Sequence, residues 1–291
     1  SVLKSAPKYA NALFNKGIVL GELKKYDESL KCYEETLKYD KEHFLAWCNM
    51  GNILLKNAKY HNAIICFDAA ININPNYSKA WRDKGTAYSF LGKHYEAIGY
   101  YDRSIELDDK DPDSWFNKGN DLRSLERFDE AIICYDEVIK IEPNREDTWI
   151  NKGIALKNLE KHREAIICYD EALKIDPQAA DALNYKGNSL ASLGKYQEAI
   201  ICFDKALNID SRETNFWLNK GVVLYTLGKH EESIICYNEI LKINPNDATS
   251  WYNKGVALNC LGKIQEAHEC FEIVMSINPK LIIDSIYHNN P

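Results

Sequence analysis

Residues 146–179 read EDTWINKGIALKNLEKHREAIICYDEALKIDPQA, and this stretch recurs with variations along almost the whole chain. Its Gly153 belongs to a series of eight glycines that follow one another at a single constant interval. The series is Gly17, Gly51, Gly85, Gly119, Gly153, Gly187, Gly221 and Gly255. A constant period of this length is typical of stacked repeats, each of which buries its apolar face against its neighbours.

Eight repeats follow when each is counted from seven residues before its glycine, and we number the positions 1 to 34 within a repeat. The repeats are residues 10–43, 44–77, 78–111, 112–145, 146–179, 180–213, 214–247 and 248–281. Residues 3–9 align with the end of a further repeat, so we interpret 1–9 as the tail of a preceding repeat in a longer array. Residues 282–291 are expected to form a short C-terminal cap.

Each repeat has the apolar spacing of two amphipathic helices. Positions 4, 8 and 11, and then 20, 24, 27 and 28, recur at helical intervals, as in Trp149, Gly153 and Tyr169 of the quoted repeat. A Gly-Lys pair near position 15 of several repeats indicates the turn. The second helix ends at Asp176-Pro177, because proline cannot continue a helix. The sequence therefore predicts an all-α array of helix-turn-helix repeats.

This pattern of Trp, Gly, Tyr, Ala and Pro resembles the tetratricopeptide repeat (TPR) family. The resemblance implies a right-handed α-α superhelix, a solenoid, whose first helices line a concave groove and whose second helices form the convex face. One departure is the lysine before the glycine, Lys152 in the quoted repeat, where the family usually has leucine. We expect its stem to pack and its ammonium to reach solvent or an acidic group.

Composition excludes several function classes. The 36 basic and 43 acidic side chains give a formal charge of -7, which argues against nucleic-acid binding. Apolar runs are far shorter than the roughly 20 residues of a membrane helix. Seven of the nine cysteines stand at position 23, too widely spaced for disulfides, so we interpret them as buried free thiols in a reducing, cytoplasmic protein.

Catalytic and metal-binding signatures are missing from the sequence. No glycine-rich phosphate loop, zinc-hydrolase histidine pair or nucleophile elbow occurs. The histidines His94, His162 and His230 fall at position 17, an otherwise aromatic position, and each lies two repeats from the next. We therefore expect no enzyme activity, no cofactor and no metal.

The candidate binding residues lie at the groove positions that the family resemblance assigns, 2, 5, 6, 9, 12 and 13. Position 6 carries asparagine in six repeats, and position 9 in three. These are Asn15, Asn49, Asn117, Asn151, Asn219 and Asn253, followed by Asn52, Asn120 and Asn188. Each amide offers a donor and an acceptor, which suits the main chain of an extended peptide. In members of the family an asparagine ladder holds peptide main chain; the alternative is bonding to neighbouring helix atoms.

Selectivity would come from the variable groove positions, which include Lys79, Arg82, Arg123, Tyr185 and Tyr252. The basic and asparagine pattern of the family's chaperone-binding carboxylate clamp is not met, so we do not expect a chaperone tail as ligand.

The isoleucines at position 22 are a second anomaly, since the family often has a charged residue there. They are Ile65, Ile133, Ile167, Ile201 and Ile235. They form either an exposed apolar stripe or part of the core between second helices, and we favour the core because an exposed stripe is an aggregation hazard.

We therefore expect a non-catalytic protein-protein interaction scaffold whose groove binds an extended peptide or protein segment. One alternative is a structural solenoid that self-associates by end-to-end stacking or through the isoleucines. Another is the recognition arm of an enzyme whose catalytic domain lies outside this chain.

Overall fold

The computed structural model describes residues 2–281, with side chains from residue 8 onward, and these residues form helices joined by short turns. The expected cap at 282–291 lies outside the described residues. The chain divides into two compact units, Ser1–Pro143 and Asn144–Pro291, called here the N-terminal and the C-terminal unit.

The described residues of the N-terminal unit form eight helices. They are α1 (Val2–Glu22), α2 (Tyr26–Tyr39), α3 (Phe44–Lys56), α4 (Tyr60–Ile73), α5 (Ser78–Phe90), α6 (His94–Leu107), α7 (Pro112–Ser124) and α8 (Phe128–Ile141). In the C-terminal unit residues 279–281 are helical, and eight full helices precede them among the described residues. They are α9 (Glu146–Asn158), α10 (His162–Ile175), α11 (Ala180–Ser192), α12 (Tyr196–Ile209), α13 (Thr214–Thr226), α14 (His230–Ile243), α15 (Ala248–Cys260) and α16 (Ile264–Ile277).

The two helices of a repeat pack through the glycine at position 8 and the aromatic ring at position 24. A Cβ atom on Gly153 would lie 2.5 Å from Cε1 of Tyr169, so no larger residue fits without displacing the ring. The turn between the helices needs one residue in the left-handed region, which is Gly194 in repeat 6 (φ 74°) and Glu160 in repeat 5 (φ 59°). The prediction of paired helices is confirmed.

Most consecutive first helices of a unit contact one another, as α5 and α7 do and as α11 and α13 do. Among the described residues, no two consecutive second helices make comparable contact. The first helices are therefore more closely spaced, and the side that they line in each unit is the inner side. We call it the first-helix face.

The prediction that the position-22 isoleucines belong to the core is wrong. Their side chains are largely exposed, from 54% for Ile201 to 65% for Ile65. The reason is the wide spacing of the second helices: a side chain that points outward from α10 or α12 has no neighbouring second helix close enough to cover it.

The residues that align with the end of a further repeat are helical here, because α1 runs from Val2 through to Glu22 without a break. In later repeats the residue before the proline that aligns with Pro7 is Asp, Asn or Glu, and at Asn74-Pro75 it is the C-cap of the second helix. Ala6 stands there at the start of the chain, and alanine is the strongest helix former. Whether a further repeat precedes this helix stays a prediction.

The lysine before the repeated glycine pairs with an aspartate at position 25 of the preceding repeat, which confirms that its ammonium reaches an acidic group. The ion pairs are Lys84 with Asp68 (2.5 Å), Lys118 with Asp102 (2.6 Å), Lys186 with Asp170 (2.5 Å) and Lys220 with Asp204 (2.6 Å). The same ammonium also covers the tryptophan at position 4 of its own repeat, as Lys118 does at 5.6 Å from the ring centre of Trp115. The lysine thus joins neighbouring repeats.

Eight of the cysteines are buried free thiols, and Cys260 is exposed. Burial raises the pKa of Cys66 and of Cys134 to about 11. A thiol with a raised pKa is a poor nucleophile, so these side chains act as small core residues.

Candidate peptide-binding face

The first-helix face of the C-terminal unit carries amide groups in repeats 6, 7 and 8. Asn219 on α13 donates from Nδ2 to Oδ1 of the buried Asn184 on α11, over 2.8 Å. This bond leaves Oδ1 and the second N–H of Asn219 available. Asn188 and Asn253 are half-buried, and their side chains make no hydrogen bond to the described residues. The face therefore offers unused donors and acceptors on three successive first helices.

Aromatic rings flank these amides. Tyr185 stacks on Tyr169 with ring centres 5.9 Å apart, and Tyr252 packs against Phe271 at the same distance. Each ring is thus held by the aromatic residue at position 24 behind it. Rigid aromatic side chains are frequent anchors at interfaces because little conformational entropy is lost when they bind.

Charged side chains are nearly absent from the groove positions of α11, α13 and α15. Of the residues at positions 2, 5, 6, 9, 12 and 13 of these helices, Asp181 at the start of α11 is the one with a charge. Earlier in the unit, Asn151 on α9 donates from Nδ2 to the carbonyl oxygen of Asp147 in its own helix, over 2.8 Å. Asn151 stands at a ladder position, but this N–H is already hydrogen-bonded within its own helix.

The first-helix face of the N-terminal unit is charged and internally paired. The guanidinium of Arg82 lies 3.1 Å from Asp83, 3.1 Å from Asp111 and 3.6 Å from Asp113. Burial raises the pKa of Asp83, and the neighbouring Arg82 and a hydrogen bond from Asn52 oppose that rise. Arg82, named from the sequence as a groove residue, therefore already holds three carboxylates from repeats 3 and 4.

Other asparagines of this unit are also engaged. Asn117 donates from Nδ2 to Oγ1 of Thr86 over 3.3 Å, and Asn120 accepts from the hydroxyl of Tyr135 over 2.9 Å. The side chain of Asn49 interacts with the Tyr33 hydroxyl. The alternative reading, in which groove asparagines bond to neighbouring helix atoms, thus describes part of the ladder. Asn15 and Lys79 are exposed.

A buried carboxylate that sequence reasoning missed lies between repeats 3 and 4. Oδ1 of Asp121 accepts from the Ser89 hydroxyl over 2.6 Å and lies 2.9 Å from Nδ1 of His94, while Oδ2 has no partner. Burial raises the pKa of Asp121, and the bonds to Ser89 and His94 oppose that rise. The available signal was a single Asp at position 10, where other repeats have Ser, Ala or an aliphatic residue. Arg123 interacts with the Tyr135 hydroxyl nearby.

Two features are absent from the described residues. Within 2–281, no helix is long and apolar enough to cross a bilayer. In the same residues, no three side chains of His, Cys, Asp or Glu come together as a metal site.

Helix pairs stacked in this way, with one closely spaced inner face, define a class of helical repeat proteins that bind partners along that face. A tetratricopeptide repeat model matches residues 44–77, 112–145, 146–178, 180–212 and 214–247, which is more than half of the chain. Two further models of the same repeat match 10–43, and 66–99 with 236–269. The chain belongs to the tetratricopeptide repeat family.

Solved structures with this fold include residues 41 to the end of MamA from Desulfovibrio magneticus RS-1, which is 19% identical with a TM-score of 0.55 over 58% of this chain and 96% of that one. YrrB, described as a TPR protein with an unusual peptide-binding site, is 21% identical with a TM-score of 0.55 over 65% and 97%. The Cut9-Hcn1 heterotetramer of the APC/C matches at 18% identity with a TM-score of 0.60 over 87% and 50%. No curated protein matches in sequence. At these identities the likeness shows the fold.

Proposed function

We propose that this protein is a non-catalytic interaction scaffold that binds an extended peptide segment on the first-helix face of its C-terminal unit. The observation that carries the proposal is the set of unused amide groups of Asn188, Asn219 and Asn253 on α11, α13 and α15. Asparagine is unfavourable inside a helix, so the recurrence of amide groups there that are unpaired, as in Asn188 and Asn253, or only partly paired, as in Asn219, needs another reason. Bonding to the main chain of a ligand supplies one.

The spacing of these amides suits an extended chain. Packed helices lie about 8 to 10 Å apart, and an extended peptide advances about 3.3 Å per residue. One asparagine per repeat would then meet the ligand main chain about every third residue. Tyr185 and Tyr252 would contact ligand side chains between these points. YrrB, which is described as having an unusual peptide-binding site, is a structural neighbour with the same fold.

The test begins with peptides selected from a random display library on the purified chain. A triple variant carrying Asn188→Ala, Asn219→Ala and Asn253→Ala should bind the selected peptide about 100-fold more weakly, at about 1 kcal/mol for each lost hydrogen bond. Affinity would be measured by calorimetry and helical content by circular dichroism. Unchanged affinity in a folded triple variant would overturn the proposal.

Two controls define where the ligand lies. Asn62→Ala changes an exposed asparagine on the second helix α4 and should leave affinity unchanged. The pair Asn117→Ala and Asn151→Ala removes ladder asparagines whose N–H groups already have internal partners. We expect this pair to weaken binding less than the triple variant does.

Self-association is a second candidate, and the exposed isoleucines favour it. Ile167, Ile201 and Ile235 stand at the same repeat position on α10, α12 and α14, with exposed fractions of 60%, 54% and 58%. Sedimentation over a wide concentration range tests this candidate. A monomer at every concentration excludes it, whereas a dimer that Ile201→Glu dissociates supports it.

A further inference from the structure

The tryptophans at position 4 share a common environment between neighbouring repeats. Four of them donate their indole N–H to the carbonyl oxygen six residues earlier. The pairs are Trp81 with Pro75 (2.8 Å), Trp115 with Asp109 (2.9 Å), Trp217 with Ser211 (2.9 Å) and Trp251 with Pro245 (2.8 Å). A lysine ammonium also covers the ring, for example Lys220 at 5.6 Å from the ring centre of Trp217. An indole site in this fold therefore has a carbonyl acceptor, a cation and an apolar wall.

Repeat 6 lacks the indole but keeps the other parts of the site. Leu183 occupies position 4. The carbonyl of Pro177, six residues earlier, accepts no hydrogen bond from the described residues. Lys186, at the repeat position of Lys220, still pairs with Asp170 over 2.5 Å. Repeat 6 thus has the carbonyl acceptor and the lysine cation, but it lacks the indole ring that these two groups contact in other repeats.

A cavity opens at this place. Its volume is about 430 Å³, and its lining includes Leu173, Pro177, Leu183, Lys205 and Ile209. Three of these side chains are aliphatic, and Pro177 brings the unused carbonyl. Such a volume is within the range of small-ligand sites. The chain's own six tryptophans stand at position 4 of other repeats, so none of them fills it.

We propose that this cavity binds the side chain of a tryptophan from a partner polypeptide. The apolar wall of Leu173 and Ile209 suits a flat aromatic ring. The Pro177 carbonyl selects a ring that carries an N–H, which phenylalanine lacks. The ammonium of Lys205, which lines the cavity, complements the negative face of the ring, because cations are attracted to aromatic π-systems. This docking point is separate from the asparagine face and does not depend on it.

The probe for the test is N-acetyl-L-tryptophanamide, which resembles a tryptophan within a chain. Its titration into the full chain, labelled at Leu and Ile methyl groups, should give saturable NMR shifts at Leu173, Leu183 and Ile209. The analogue methylated at the indole nitrogen should bind at least about fivefold more weakly, because the Pro177 carbonyl would be left without its donor. Leu183→Trp should fill the cavity from within and weaken binding at least about tenfold.

The matched control is Leu13→Trp, the same change at position 4 of repeat 1, where residue 7 lies within α1 and its carbonyl belongs to a helix. Binding should be unchanged in this variant. The proposal is overturned if the probe does not bind saturably, if the methylated analogue binds equally well, or if free indole binds and the blocked amino acid does not. It is also overturned if Leu183→Trp folds and binds normally. If Leu183→Trp loses helical content, the proposal is tested by comparing the binding of N-acetyl-L-tryptophanamide and of its N-methylated analogue to the unmodified chain.

Discussion

Repeats 3 and 4 of the N-terminal unit and repeats 6 to 8 of the C-terminal unit have the same helices but different chemistry on their first-helix faces. In the former, Arg82 forms ion pairs with Asp83, Asp111 and Asp113, so its cation is already paired within the protein. In the latter, amides such as Asn188 and Asn253 have unused donors and acceptors. The first-helix face can therefore join neighbouring repeats in one unit and remain available to a ligand in the other.

The largest expected effect is the loss of the Arg82 ion pairs, which should change the N-terminal unit alone. Arg82→Ala leaves Asp83 and Asp111 together without their cation, which should destabilise repeats 3 and 4 by about 3 kcal/mol. Hydrogen exchange with mass spectrometry should show lost protection in α5 and α7 and unchanged protection in α11 and α13. The control Lys79→Ala removes an exposed charge from the same helix and should cost less than about 0.5 kcal/mol. Unaltered exchange in α5 after Arg82→Ala would contradict the structural role.

A second prediction asks whether the framework is equivalent in the two units. A Cβ atom on Gly119 would lie 2.7 Å from Cε1 of Tyr135, and one on Gly221 the same distance from Cε1 of Tyr237. Glycine to alanine at either site should therefore cost about 1 to 3 kcal/mol, because the ring must move in a packed core. Urea unfolding and local exchange rates measure the cost. A clear cost at one site and none at the other would show that the units differ in their cores as well as on their faces.

Asp121 gives a smaller effect that is confined to the N-terminal unit. Because burial raises its pKa above the unfolded value of about 3.9, the folded state holds the proton more tightly. The resulting contribution to stability is complete below the unfolded pKa and is lost as pH rises through the folded pKa. Asp121→Asn should therefore raise stability modestly at neutral pH and flatten this dependence.

Thermal unfolding of the Asp121→Asn variant between pH 4 and 8 checks the sign of this effect. The bonds to Ser89 and His94 remain available to asparagine. A large loss of stability at neutral pH would instead mean that the carboxylate charge is needed there. We expect no such pH effect from repeat 6, because Ser189 occupies the position of Asp121 there.

The smallest effect concerns the outer sides of both units. Ile133→Ser and Ile201→Ser should each change stability by less than about 0.5 kcal/mol, since both side chains are more than half exposed. Differential scanning calorimetry at low protein concentration measures this. A loss of about 2 kcal/mol or more, as for truncation of a buried aliphatic side chain, would mean that a neighbour covers the isoleucine.

The sequence predicts what depends on neighbouring residues and misses what depends on the distance between helices. Gly153 and Tyr169 indicate a close helix pair because their sizes are complementary within one repeat. The exposure of Ile201 could not be predicted in the same way, since it is set by the distance from α12 to the next second helix. Arg82 was named from the sequence as a groove residue, but nothing in the periodicity showed that Asp111 would form an ion pair with it.

The binding face shows the same division. The family pattern assigns Asn151 and Asn219 to one ladder, yet Asn151 bonds to its own helix and Asn219 bonds to Asn184 across repeats. These differences depend on side-chain rotamers and on which residue faces each amide. Neither can be predicted from the position of a residue within its repeat. The sequence shows Leu183 as an exception at position 4. The proposed tryptophan site could be inferred only from the structure, which shows the unbonded carbonyl of Pro177 and the cavity beside it.

The central claim is that the C-terminal unit binds peptide main chain through uncharged amides. Its most direct test takes the peptide selected by display and methylates its backbone nitrogens one at a time, leaving every side chain unchanged. The account predicts a loss of affinity of about tenfold at nitrogens spaced about three residues apart, little loss between them, and little dependence on salt. Equal affinity for all the methylated peptides would contradict the claim, as would binding that is lost at high salt.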